Sequence, residues 1–114
     1  LARIFRKTSG VADVIKDAFQ PLASQIDVAL VFGSVACGKA SEGSDIDVLV
    51  IGSIDFASTV KALYTTQDLL GREINPKLYN IKEWKAARKQ NSSFMREILE
   101  RPVIKVIGDI NDLG

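Results

Sequence analysis

The sequence predicts a small α/β (α+β) protein: a mixed, partly antiparallel sheet flanked by helices. Three observations predict it. Two apolar, β-branched runs, Ile26–Phe32 and 45–52, read as strands. The second is apolar on both faces beyond its carboxylates, as a central strand covered on two sides is. Only residues 33–44 join the two runs, too few for a right-handed parallel crossover, so an antiparallel pair is expected. Helical stripes alternate with the remaining strand candidates, in the order helix, strand, strand, helix, strand, helix, strand.

Taken in order, Leu1, Ile4 and Phe5 share helical spacing with Arg3, Arg6 and Lys7 between them, and Thr8-Ser9-Gly10 breaks the pattern. With no initiating methionine, residues 1–10 are expected to be the tail of a preceding helix or linker. The main domain is expected over 11–110, with 111–114 as a tail. Residues 11–23 carry an apolar stripe of Val11, Val14, Ile15, Ala18, Phe19 and Leu22, and Pro21 predicts an irregular last turn.

After the two strands, Asp55 caps a helix in which Phe56, Val60, Leu63 and Leu70 recur, and Gly71 closes it. Residues 72–80 alternate: Ile74, Pro76 and Leu78 share one face, Glu73, Asn75, Lys77 and Tyr79 the other. Pro76 cannot donate to a ladder, which predicts an edge strand or a bulge. Helices follow at 82–89, where Trp84 is expected to pack on the sheet, and at 93–101, stopped by Pro102. Residues 103–107 form a last short strand.

Composition bounds the chemistry. The 114 residues, 46% hydrophobic and 25% charged, suit one globular domain. A net charge of +1 does not advertise a nucleic-acid surface. The absence of His removes Ser-His-Asp and Cys-His nucleophile systems, imidazole zinc sites and any His base. Cys37 stands alone, so no intrachain disulfide forms. No apolar run approaches the roughly 20 residues of a membrane span, and a reducing, cytoplasmic setting is expected.

The chemistry-bearing residues lie in 33–51. Asp45 and Asp47, one residue apart at the start of a strand, project from one face about 6–7 Å apart along the chain. Two such carboxylates can share divalent cations roughly 3.5–4 Å apart, as two-metal phosphoryl transfer requires. Upstream, Gly33-Ser34 follows a strand, and a small turn there aims backbone N–H groups at an anion.

Gly33-Ser34, Gly38 and Ser44-Asp45-Ile46-Asp47 together resemble the signature of the DNA polymerase β-like nucleotidyltransferase superfamily, in its minimal single-domain form. The resemblance implies that Gly33 lets backbone approach the β- and γ-phosphates and that Ser34 hydrogen-bonds them. Gly38 would permit the following turn and Ser44 would fix the catalytic loop. Asp45 and Asp47 would ligate two Mg²⁺ (or Mn²⁺) ions, and a third carboxylate would come from a neighbouring strand. On the polar face of the third strand only Glu73 and Asn75 are candidates, and Glu73 is favoured because a full charge suits a cation better than an amide. The alternative for Glu73 is a surface partner for Arg72 or Lys77. Cys37 stands where the family commonly carries Arg, and Lys39 is the nearby cation that would compensate.

The implied function is transfer of a nucleoside monophosphate from an NTP, expected to be ATP, to a hydroxyl on a protein or RNA. A helical partner protein, as in toxin–antitoxin modules that adenylylate the partner, goes with the minimal branch. The segments Leu70–Pro76 and Lys7–Gly10 also resemble a subgroup that follows an N-terminal winged-helix domain, so DNA would be reached only through a domain absent from this chain. A second reading is a catalytically degenerate nucleotide-binding module of a transcription regulator, acting as its sensing or homodimerising half.

Overall fold

The computed structural model describes residues 7–36, 38, 45–90 and 92–113, with side chains from residue 10 onward. Helix α1 spans Lys7–Phe19 and strand β1 Ile26–Phe32; strand β2 is Ile46–Gly52 and helix α2 Phe56–Leu70. Strand β3 (Ile74–Tyr79), helices α3 (Ile81–Gln90) and α4 (Ser93–Glu100) and strand β4 (Ile104–Ile107) complete the order.

The four strands form one sheet in the order β3-β2-β1-β4. β1 pairs antiparallel with β2, as the short connection requires, and also antiparallel with β4. β2 and β3 are parallel, with α2 as the crossover between them. The edge position of β3 agrees with Pro76 in its middle.

β1 and β2 are central and almost wholly buried, which explains their unbroken apolar runs. Ala29, Val31, Val48 and Val50 face α1 and α2, packing with Ile15, Phe19 and Leu63. Val28, Leu30, Leu49 and Ile51 face α3 and α4, packing with Trp84, Met95 and Ile98. The fold is therefore three layers, a sheet between two helix pairs. Trp84 is fully buried against the sheet, as its sequence position implied.

Two local readings change and one is met. Residues 7–10 continue α1 instead of breaking it; nothing lies within 4 Å of where a Gly10 side chain would be, so the glycine sits in open space and is tolerated in the helix. Pro21 opens a 3-10 helix over Gln20–Gln25, the irregular turn anticipated there. On α2 the buried face is Thr59, Leu63 and Thr66, while Phe56 and Val60 of the apolar stripe are exposed. The α2 caps are as read: Asp55 accepts from the Ser58 N–H, and Gly71 closes the helix in a left-handed conformation. Past β4, Ile110–Leu113 forms a 3-10 helix in which Ile110 is buried. Among the described residues no helix is long and apolar enough to cross a membrane.

Candidate active site

The site lies at the end of the sheet where β1 finishes and β2 begins. Gly33 leaves β1 with φ +79°, a turn that L side chains rarely adopt. Val35, two residues on, dips back into the α1/α2 core, and the Gly38 N–H donates to its carbonyl at 3.2 Å. This anchoring fixes the turn and leaves Ser34 exposed at its mouth.

Asp45 immediately precedes β2 and is exposed; Asp47 is the second residue of β2 and half-buried. Strand alternation places both on the α3/α4 side of the sheet, with Leu49 and Ile51 continuing that face into the core. Asp47 is in register with Phe32 on β1 and with Asn75 on β3. The Asn75 amide Nδ2 donates to Asp45 Oδ2 at 3.3 Å, and the Asn75 side chain also hydrogen-bonds Asp47.

The electrostatics of Asp47 are unbalanced. Burial raises its carboxyl above the ordinary value, and the negative charge of Glu97 on α4 adds to the rise. The Asn75 hydrogen bond opposes it, Asp45 adds a further push upward, and Lys77 pulls down. A divalent cation would relieve this repulsion, and two carboxylates on one face are a donor set that fits Mg²⁺. Among the described residues no three His, Cys, Asp or Glu side chains converge to hold an ion. The remaining ligands would come from water and phosphate oxygens, the usual arrangement for Mg²⁺.

The structure thus brings Gly33, Ser34, Asp45 and Asp47 to one end of the sheet. Gly38 belongs to the same turn. Glu73 is exposed just before β3; its carbonyl accepts from the Ile46 N–H at 2.9 Å, and the β2–β3 register continued by one step puts it beside Asp45. Glu73 is not among the charges acting on Asp47. Lys39 and Ser44, like Cys37, lie outside the described residues. Sequence reasoning missed Glu97, whose approach to Asp47 depends on how α4 packs. The signal available was only that Glu97 sits between the apolar pair Phe94 and Ile98 on one helix flank.

No curated protein sequence matches the chain. Solved structures do share the fold. A chain of a toxin–antitoxin complex crystallised with AMP-PNP superposes with a TM-score of 0.61 at 15% identity, covering 90% of this chain and 77% of that one. A chain of the tri-AMPylated Shewanella oneidensis HEPN toxin in complex with MNT antitoxin gives a TM-score of 0.56 at 13% identity, covering 92% and 76%. Residues 12–106 match the nucleotidyltransferase domain family, a span that contains the Gly33 turn, both aspartates and all four strands but the last residue of β4. With fold, site and family match in agreement, the chain belongs to the nucleotidyltransferase domain family, of the DNA polymerase β-like type.

Proposed function

We propose that this domain transfers a nucleoside monophosphate from an NTP, with ATP as the nucleotide, to a hydroxyl on a protein or RNA. The observation that carries the reading is the placement of Asp45 and Asp47 on one face of β2, directly across from the Gly33 turn that ends β1. Gly33 and Ser34 bind the triphosphate through backbone N–H groups and the Ser34 hydroxyl, Gly38 permits the turn, and Lys39 and Ser44 are the further nucleotide-binding candidates. Asp45 and Asp47 hold Mg²⁺ or Mn²⁺, with Glu73 the strand-borne candidate for a third acid at the Asp45 end. When bound, the cations neutralise the triphosphate and stabilise pyrophosphate as it leaves. The protein residues orient the α-phosphorus toward the acceptor hydroxyl, whose oxygen forms the new P–O bond as the bond to pyrophosphate breaks and the hydroxyl proton is lost to water.

A helical partner protein is the acceptor that suits so small a domain. Support comes from the solved structures that share the fold, which are complexes between a toxin and an antitoxin. The test is Mg²⁺-dependent binding of ATP by calorimetry, followed by transfer of labelled nucleotide to candidate partner proteins and RNAs. Asp45→Asn/Asp47→Asn is expected to abolish the metal-dependent part of binding and all transfer. Unchanged nucleotide binding in that double variant sinks the metal assignment.

One observation favours a second reading, a nucleotide-binding module of a transcription regulator without turnover. Asn75, a neutral amide, occupies the β3 position in register with Asp47. Metal-dependent binding with no transfer to any acceptor would support that reading; transfer abolished by Asp47→Ala would overturn it.

A further inference from the structure

We propose that the outer edge of β3 is sealed against strand pairing with a second copy of this chain, and that Gln67 and Pro76 make the seal. The inference goes beyond nucleotide transfer and holds whatever chemistry the site performs.

β3 lies at the edge of the sheet, and an edge strand presents N–H and C=O groups that can template another chain. Which residues present them follows from the pairing with β2. The Ile46 N–H donates to the Glu73 carbonyl at 2.9 Å, and Ile46 is in register with Ile74. In a parallel ladder this turns the main-chain groups of 73, 75, 77 and 79 toward β2, and those of 74, 76 and 78 outward.

All but one of the outward donor positions between 74 and 80 are closed. The Ile74 N–H donates to Gln67 Oε1 at 2.8 Å, a side chain sent across from the last turn of α2. Pro76 has no N–H to offer. Just past the strand, the Asn80 N–H donates to Glu83 Oε1 at 2.9 Å, and the Glu83 N–H donates to Asn80 Oδ1 at 2.6 Å. This reciprocal pair is a capping box, so the start of α3 also covers the end of the edge. The Leu78 N–H is left without a partner among the described residues.

Two copies meeting antiparallel would set position 76 against 76, and Ile74 of each against Leu78 of the other, exchanging bonds at every such pair. Pro76 cancels the central exchange. Gln67 removes the Ile74 donor on both strands. Only the Leu78 donors remain, too few to hold a ladder. At the opposite edge, β4 is four residues long and carries an exposed lysine, Lys105, which is a common safeguard of edges. The seal also bears on the site. A strand added to β3 would run about 4.8 Å away, alongside Asn75, whose amide reaches Asp45. A closed edge keeps that flank of the carboxylate pair open.

The test follows sedimentation and amide hydrogen exchange of the full chain over a range of protein concentrations. The wild type is expected to show a slow amide at Ile74 and a fast one at Leu78 at every concentration. Gln67→Ala/Pro76→Val frees one donor and restores the other, and each counts twice in a symmetric pair. The α2 cap survives, because it uses the backbone carbonyl of Gln67. The double variant is expected to self-associate about a hundredfold more tightly than the wild type. Protection at positions 74, 76 and 78 should rise with its concentration. Association no tighter than that of the wild type overturns the proposal, as does association that leaves those amides unprotected. A wild type with a fast Ile74 amide, or with Leu78 protected on self-association, overturns it too. Should the double variant fail to melt cooperatively, Pro76→Val alone decides. Association about tenfold tighter, with protection at position 76, supports the seal; unchanged association overturns it.

Discussion

A side chain at position 33 would strike the carboxylate of Asp47: a Cβ built on Gly33 lies 2.6 Å from Asp47 Oδ2. The turn that is read as the phosphate cradle and the acid that is read as a metal ligand are therefore in contact through the absence of a methyl group. Backbone and carboxylate can approach this closely only because residue 33 is glycine, and its φ of +79° independently asks for glycine.

Gly33→Ala is expected to fail on both counts. Holding alanine at positive φ costs roughly 1–2 kcal/mol, and relief of the clash must displace either the turn or Asp47. Urea melts are expected to show the stability loss, and calorimetry a loss of ATP binding larger than stability alone explains. A variant that is destabilised but binds ATP normally would separate the turn from the site.

Asp47→Asn is expected to stabilise the metal-free protein at neutral pH. The Asp47 carboxyl is raised in the folded state, chiefly by burial and by the charge of Glu97. Between the ordinary value and the raised folded value the folded chain holds a proton that the unfolded chain has released, so stability falls as pH rises through that window. The melting-temperature advantage of the asparagine variant is expected to be fully present well above the folded value. It should vanish as the pH drops below the ordinary carboxylate value of about 4. Melts of both proteins across pH, in chelator, check the sign; a variant less stable than wild type at neutral pH contradicts it.

Adding Mg²⁺ with ATP is expected to reverse that order. A ligand at about 100 times its Kd stabilises the folded state by about 2.7 kcal/mol. The wild type gains this and Asp47→Asn does not, so the two melting curves should cross over between chelator and saturating Mg²⁺-ATP.

On α2, Leu63→Ala is expected to cost about 2–5 kcal/mol, because Leu63 is 2% exposed in the α1/α2 core. Phe56→Ala is expected to stay within about 0.5 kcal/mol, because that ring is 58% exposed. Chemical denaturation of the two variants distinguishes a core stripe from a surface one.

That contrast marks where the sequence was readable. The strands β1 and β2 were legible because both faces of each are buried, leaving no polar alternation to confuse the pattern. Their antiparallel pairing followed from a connection too short to cross over, and the edge position of β3 from Pro76. The α2 face was not legible from its large apolar residues. Thr59 turns inward with its hydroxyl satisfied by the Asp55 carbonyl at 2.8 Å, so a polar side chain fills a place where an apolar one was expected. Asp45 and Asp47 were readable because strand alternation fixes their side. Glu97 was not, because 50 residues separate it from Asp47 and its position depends on the packing of α4, through Phe94, Met95 and Ile98, on that face of the sheet.

The carboxylate pair is mounted at the mouth of the best-protected strand in the molecule: Val48, Leu49, Val50 and Ile51 are all 0% exposed. Amide protons on such a strand exchange with solvent only when the whole domain opens. Deuterium uptake at Val48 and Leu49 is thus expected to report global unfolding. Ser34 and Asp45 are already exposed at that end of the sheet, so a solute can reach the pair without any opening of the strand that carries it.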